Sequence, residues 1–141
     1  MPHSVKIVMI EDDHGHARLI EKNIRRANIS NEIEHFADGS SALEHLFSEK
    51  VLNNGPLLIL LDLNLPDMSG TDILEKIKSD ERLRRAPVVI LTTTDDKVEI
   101  QRCYDLGCNV YITKPVEYES FSDAIRQLGL FLSVIQAPEI S

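Results

Sequence analysis

Leu57-Leu58-Ile59-Leu60-Leu61, followed by Asp62-Leu63-Asn64-Leu65-Pro66, is the stretch that decides the fold. Five consecutive apolar residues without polar alternation describe a strand buried on both faces, as in a parallel sheet covered by helices. A carboxylate directly after such a run stands at the carboxyl end of its strand, the edge where open α/β sheets bind ligands. The reading therefore turns on what else arrives at that edge.

Working outward, similar runs recur at Val5 to Ile10, Pro87 to Leu91 and Asn109 to Thr113, with a weaker alternating run from Glu32 to Ala37. Helical spacing separates them. Ala17, Ile20, Ile24 and Ala27 form one stripe, and Ala42, Leu43, Leu46 and Phe47 a second. Ile73, Leu74 and Ile77 mark a third helix, Ile100, Cys103 and Tyr104 a fourth. Phe121, Ile125, Leu128, Leu132 and Ile135 form the stripe of a fifth. Ser69 is placed to cap the third helix and Gly107 to end the fourth. Five strands alternating with five helices predict an α/β unit with a parallel sheet between two helical layers.

The length of 141 residues suits one domain, and a 43% hydrophobic content suffices for a core without disulfides. Fifteen basic against 23 acidic residues give a net charge of −8, which argues against a nucleic-acid partner. No run approaches a membrane span, and Met1 to Lys6 lacks the pattern of a signal peptide. Cys103 and Cys108 fit neither a redox motif nor a zinc spacing and read as buried thiols. A cytoplasmic protein is expected.

The polar residues after the apolar runs carry the chemistry. The first run ends in Glu11-Asp12-Asp13, the third in Asp62, the fourth in Thr92-Thr93-Thr94 and the fifth in Lys114-Pro115. With strand order 2-1-3-4-5, the first and third strands are neighbours and Glu11, Asp12 and Asp62 share a pocket. Carboxylates so close repel one another unless a cation joins them. Oxygen ligands of this kind suit Mg²⁺. A carboxylate beside Mg²⁺, an ammonium and a hydroxyl has the parts of an aspartyl-phosphate site, with Lys114 and the metal offsetting phosphoryl charge and Thr92 bonding one oxygen. His14 and His16 flank the pocket. They read as solvent-exposed residues of a helix start more than as transition-metal ligands.

The acidic pair after strand one, Asp62 in Leu60-Leu61-Asp62-Leu63-Asn64-Leu65-Pro66, Gly70, Thr92 and Lys114-Pro115 together resemble a response-regulator receiver domain of two-component signalling. The likeness covers about residues 5 to 128, leaving 129–141 as a C-terminal helix extension and tail of a single 1–141 domain. It implies a flavodoxin-like (βα)5 three-layer sandwich with a five-stranded sheet of order 2-1-3-4-5. It implies Asp62 as phosphoacceptor, Asp12 as the direct metal ligand, Glu11 acting through water, and the Asn64 main-chain carbonyl completing the set. Thr92 and Tyr111 become switch residues, Lys114 contacts the phosphoryl group, and Lys114-Pro115 is expected to be a cis peptide.

Two registers stay open in the residues alone, and the resemblance assigns them. Asp13 competes with Glu11 and Asp12 for the acidic pair. Thr93 and Thr94 compete with Thr92, which lies 22 residues before Lys114 as in the family. Thr93 then occupies a position that the family usually fills with a smaller residue.

The implied function is a stand-alone response regulator. It takes a phosphoryl group from a histidine kinase and assists its own phosphorylation and dephosphorylation without being a conventional enzyme. The face made by the fourth helix, fifth strand and fifth helix would change its partner affinity or serve a phosphorelay. The Ser48 to Pro56 segment, Asp62-Leu63-Asn64-Leu65-Pro66 and Leu91-Thr92-Thr93 resemble regulators paired with bacterial phytochrome kinases. Leu130, Phe131 and Val134 add a second apolar face to the last helix, which predicts a homodimer. Two alternatives stand beside this reading. One is a binding module with an inert site; the other is an aspartate-nucleophile phosphatase, which would need an acid where Asn64 stands.

Overall fold

Strand β3 (Leu57–Leu61) is buried at all five positions, as its unbroken apolar run requires. It lies at the centre of a parallel sheet with β1 (Lys6–Ile10), β2 (Ile33–Phe36), β4 (Val88–Thr92) and β5 (Val110–Thr113), in the order β2-β1-β3-β4-β5. Leu61 pairs with Ile10 and with Ile90, so β1 and β3 end level with one another while β4 runs on to Thr92. The computed structural model describes residues 5–52, 55–114 and 117–127.

Alternate strand residues feed two cores. Ile7, Met9, Leu58, Leu60, Val89 and Leu91 pack on one face with Ala17, Ile20 and Ile24 of α1 (His14–Arg26) and with Phe121 and Ala124 of α6 (Tyr118–Gln127). Val8, Ile10, Ile59, Leu61, Val88 and Ile90 pack on the other. There they meet Ala42 and Leu46 of α2 (Gly39–Leu46), Ile73, Leu74 and Ile77 of α4 (Gly70–Ser79), and Cys103 of α5 (Lys97–Leu106). Each buried Leu or Ile contributes about 2 kcal/mol of transfer free energy. The arrangement is the expected three-layer flavodoxin-like sandwich.

One element was not legible in the spacing. The segment after α2 forms a short helix, α3 (Glu49–Leu52), started where the Val51 N–H donates to the Ser48 carbonyl at 3.1 Å and stabilised by burial of Val51. The fourth and fifth helices of the sequence reading are therefore α5 and α6. The edge strands β2 and β5 are only partly buried, in contrast to β3 and β4. On β5 the Tyr111 N–H is covered by the Tyr104 hydroxyl at 3.1 Å, which blunts the exposed edge.

The helix starts follow side-chain capping. Asp13, Asp38, Ser69 and Asp96 each accept a backbone N–H in the first turn of the helix that follows. Gly107 ends α5 at φ 110°, a conformation that costs glycine least. Gly70 is required for a different reason. A Cβ there would run into the Asp62 carbonyl oxygen and the Leu63 Cα, so α4 can start this close to the end of β3 only without a side chain. The Lys114-Pro115 peptide and the apolar residues beyond Gln127 lie outside the described residues. No helix among the described residues is long and apolar enough to cross a membrane.

Candidate functional site

Strand order reverses between β1 and β3, and the chain leaves both strands there carrying acids. The Asp62 N–H donates to the Ile10 carbonyl at 3.0 Å, and the Glu11 N–H to the Phe36 carbonyl at 2.9 Å. The sheet ladder thus runs one residue past each strand and fixes both carboxylates at its edge. Glu11 is 1% and Asp62 4% exposed, whereas Asp12 faces solvent. One carboxylate oxygen from each of Glu11, Asp12 and Asp62 lies within 4.8 Å of the other two.

Asp13 does not join them. Its carboxylate accepts the His16 N–H at 2.9 Å and caps α1, while its own N–H donates to Glu11 Oε2 at 3.1 Å. Of the three consecutive acids, the helix cap therefore occupies the last.

Lys114 follows β5, held in register by its N–H on the Thr92 carbonyl at 2.7 Å. Its side chain is 6% exposed and its ammonium donates to Glu11 Oε1 and, at 3.2 Å, to Asp62 Oδ2. The third acceptor is His16 Nδ1 at 3.1 Å. His16 was expected to face solvent from the helix start. Its side chain does stay 44% exposed, and in addition its Nδ1 reaches the pocket lysine. No spacing in the sequence links residue 16 to residue 114, so only the fold could reveal this contact.

Thr92 is fully buried. Its hydroxyl accepts from Asn64 Nδ2 at 3.2 Å, and the same amide lies 3.4 Å from the hydroxyls of Thr93 and Thr94. Asn64 also donates its backbone N–H to Asp62 Oδ1 at 3.1 Å. The β3–α4 loop is thereby tied to the β4–α5 loop over the pocket. Tyr111 is half-buried and donates its hydroxyl to the Thr94 carbonyl at 2.6 Å. Burial is the main reason its phenol is pushed up to about 12. Beside the acids, an open depression of about 590 Å³ is lined by Asp12, Leu63, Asn64 and residues 65–69.

The charges do not balance. Three carboxylates cluster where one ammonium contacts two of them, and burying ionised groups such as Glu11 and Asp62 costs several kcal/mol unless they are compensated. Glu11 carries the consequence. Burial first, and the Asp62 charge to a lesser degree, push its carboxyl up from 4.5 to about 7, against the opposing bonds from Lys114 and Asp13. An all-oxygen donor set with a surplus of negative charge and one open side fits a hard divalent cation such as Mg²⁺. The thiols have no such role: Cys103 and Cys108 are free and buried, and burial pushes them up to about 11 and 12.

Residues 7–126 match the Response regulator receiver domain family. A solved response regulator receiver domain from Rhodospirillum rubrum is 66% identical, covers 92% of this chain and 94% of its own, and superposes with a TM-score of 0.78. Response regulator Rcp1 of Synechocystis sp. is 36% identical over 77% of this chain and 75% of its own. Its Mn²⁺-bound form has been solved and superposes with a TM-score of 0.71, at 32% identity over 87% of this chain and 91% of its own. The phosphorylated cyanobacterial phytochrome response regulator RcpA is 35% identical over 92% of this chain and 94% of its own, with a TM-score of 0.74. The acids on β1 and β3, the buried threonine on β4 and the lysine after β5 thus stand in a fold shared with phytochrome response regulators, and the chain belongs to the response regulator receiver domain family.

Proposed function

We propose that this protein is a phosphorylation switch whose acceptor is Asp62. The observation that carries the reading is the buried Asp62 carboxylate, with Lys114 at 3.2 Å and two further acids alongside. In the reaction an Asp62 oxygen attacks the phosphorus of a kinase phosphohistidine. The P–N bond breaks, its electron pair stays on the imidazole nitrogen, which takes up a proton, and Asp62 becomes an acyl phosphate.

Each neighbour has a part. Lys114 offsets charge on the transferring group, and Thr92 turns its hydroxyl proton toward a phosphoryl oxygen, releasing Asn64. Asp12, Asp62, the Asn64 main-chain carbonyl and, through water, Glu11 would hold Mg²⁺. When bound, the ion supplies positive charge against the phosphoryl oxygens and the crowded carboxylates. The depression beside Asp12 and Asn64 gives the donor its approach.

Movement of Thr92 would free the Thr94 carbonyl from Tyr111 and let that ring repack. This alters the α5-β5-α6 face, where Val98 is 75% and Tyr104 44% exposed and open to a partner. The expected homodimer would use this side, and a phosphorelay would use the same acyl phosphate. Likeness to Rcp1 and RcpA supports a bacterial phytochrome as the cognate histidine kinase, with the exchange taking place in the cytoplasm.

Intact-protein mass after incubation with a small acyl-phosphate donor tests the acceptor. Wild type should gain one phosphoryl group only with Mg²⁺, and Asp62→Asn should gain none. Gain persisting in the mutant assigns the wrong residue. No gain in wild type, from the donor or from a phytochrome kinase, leaves an inert binding module.

A further inference from the structure

The Lys114 ammonium has three N–H bonds, and all three are taken, by Glu11 Oε1, Asp62 Oδ2 and His16 Nδ1. A phosphoryl oxygen can receive one only after an existing acceptor lets go. If Asp62 is the acceptor, as proposed above, two of the three change during the reaction. Asp62 becomes an acyl phosphate, and Glu11 turns toward a cation. A lysine freed from both would recover rotamer entropy along its four-carbon stem and leave the pocket. His16 is the partner that the chemistry leaves alone.

Its position suits the task. The His16 N–H is fixed on the Asp13 cap at 2.9 Å, so the ring is anchored to the first turn of α1 while Lys114 belongs to the far end of β5. To accept an N–H through Nδ1, the neutral imidazole carries its proton on Nε2. A neutral acceptor also holds the ammonium without neutralising it. A carboxylate in its place would compete with the phosphoryl group for the charge.

We propose that His16 is a positioning residue that keeps the Lys114 ammonium over Asp62 through the cycle, while the other two N–H bonds pass from carboxylates to phosphoryl oxygens. His16→Phe keeps a ring and removes the acceptor. His16→Asn keeps an acceptor oxygen close to the place of Nδ1. At saturating Mg²⁺ and acyl-phosphate donor, the rate constant for phosphoryl incorporation should fall about tenfold in His16→Phe. In His16→Asn it should return to within about twofold of wild type. Mg²⁺ affinity and melting temperature should not move in either.

A merely structural role is separated by a double-mutant cycle: in a Lys114→Met background, His16→Phe should add no further loss. An unchanged rate in His16→Phe, or losses that multiply in the double variant, overturns the proposal. Exchange of the Lys114 ammonium protons with water, read by ¹⁵N–¹H NMR on the unphosphorylated protein, decides the anchor independently of Asp62. It should quicken in His16→Phe and not in His16→Asn. If wild type accepts no phosphoryl group, the functional reading falls, while unchanged exchange in His16→Phe removes the anchor itself.

Discussion

Asp62 and Asp67 leave the same strand five residues apart, yet the carboxylates of the two regions are treated in opposite ways. Asp67 is exposed and accepts three bonds at the start of α2. These come from the Gly39 N–H at 2.8 Å, the Ser40 N–H at 2.9 Å and the Ser40 hydroxyl at 2.7 Å. The Ser40 hydroxyl first, then the two amides, hold its carboxyl down at about 2. Around Asp62 the acids are crowded, Glu11 and Asp62 are buried, and Glu11 is pushed up to about 7. One acid is satisfied by the fold and works as a clasp between the β3–α4 loop and α2. The other group is left short of positive charge, which makes it a place where a cation and a phosphoryl group can be accommodated.

The largest expected effect separates the two regions by chemistry. Lys114→Met removes the ammonium from the pocket and should lower phosphoryl incorporation, read by intact mass, by about 100-fold or more. A rate within a few-fold of wild type would show that the pocket does not depend on that charge. Gly70→Ala tests the loop that carries both acids. The Cβ has to displace backbone at Asp62 and Leu63, so urea unfolding should report a loss of about 1–3 kcal/mol. A neutral result would mean that the loop yields more easily than its packing indicates.

Glu11→Gln and Asp67→Asn should move stability in opposite directions. The Glu11 carboxyl is raised in the fold, so the cation-free protein loses stability as pH rises from about 4.5 through 7. At pH 8 without Mg²⁺, Glu11→Gln should therefore raise the melting temperature by about 4 °C and flatten that slope. It should also weaken Mg²⁺ binding in a calorimetric titration.

The Asp67 carboxyl is lowered in the fold. Its contribution is complete above 3.8 and disappears as pH falls toward 2. Asp67→Asn should lower the melting temperature at neutral pH by about 2 °C or less, and the difference from wild type should vanish in acid. Shifts of the same sign in both variants would break the contrast between clasp and pocket.

The sheet was readable because its signal is local. An unbroken run such as Leu57–Leu61 can be buried only between two helical layers, and each acid, Thr92 and Lys114 follows its run directly, so the topology carries them to one edge. Ser69 and Gly107 were equally legible, since caps depend on neighbouring backbone. The α3 turn was not, because Val51 forms no stripe with its few neighbours and owes its burial to the second core. Asp67 was missed for the same reason: its donors lie on another helix, and a lone exposed acid in a loop has no periodicity.

What the sequence by itself determined was the order of strands and helices and the kinds of group that meet beyond β1, β3, β4 and β5, because burial patterns and strand ends are written in consecutive residues. Only the tertiary structure set Asp12 beside Glu11 and Asp62 with Asp13 at the helix cap, turned His16 onto Lys114 and tied Asn64 to Thr92. Those outcomes depend on hydrogen bonds between residues up to about a hundred positions apart, whose directions are set when the helices pack against the sheet.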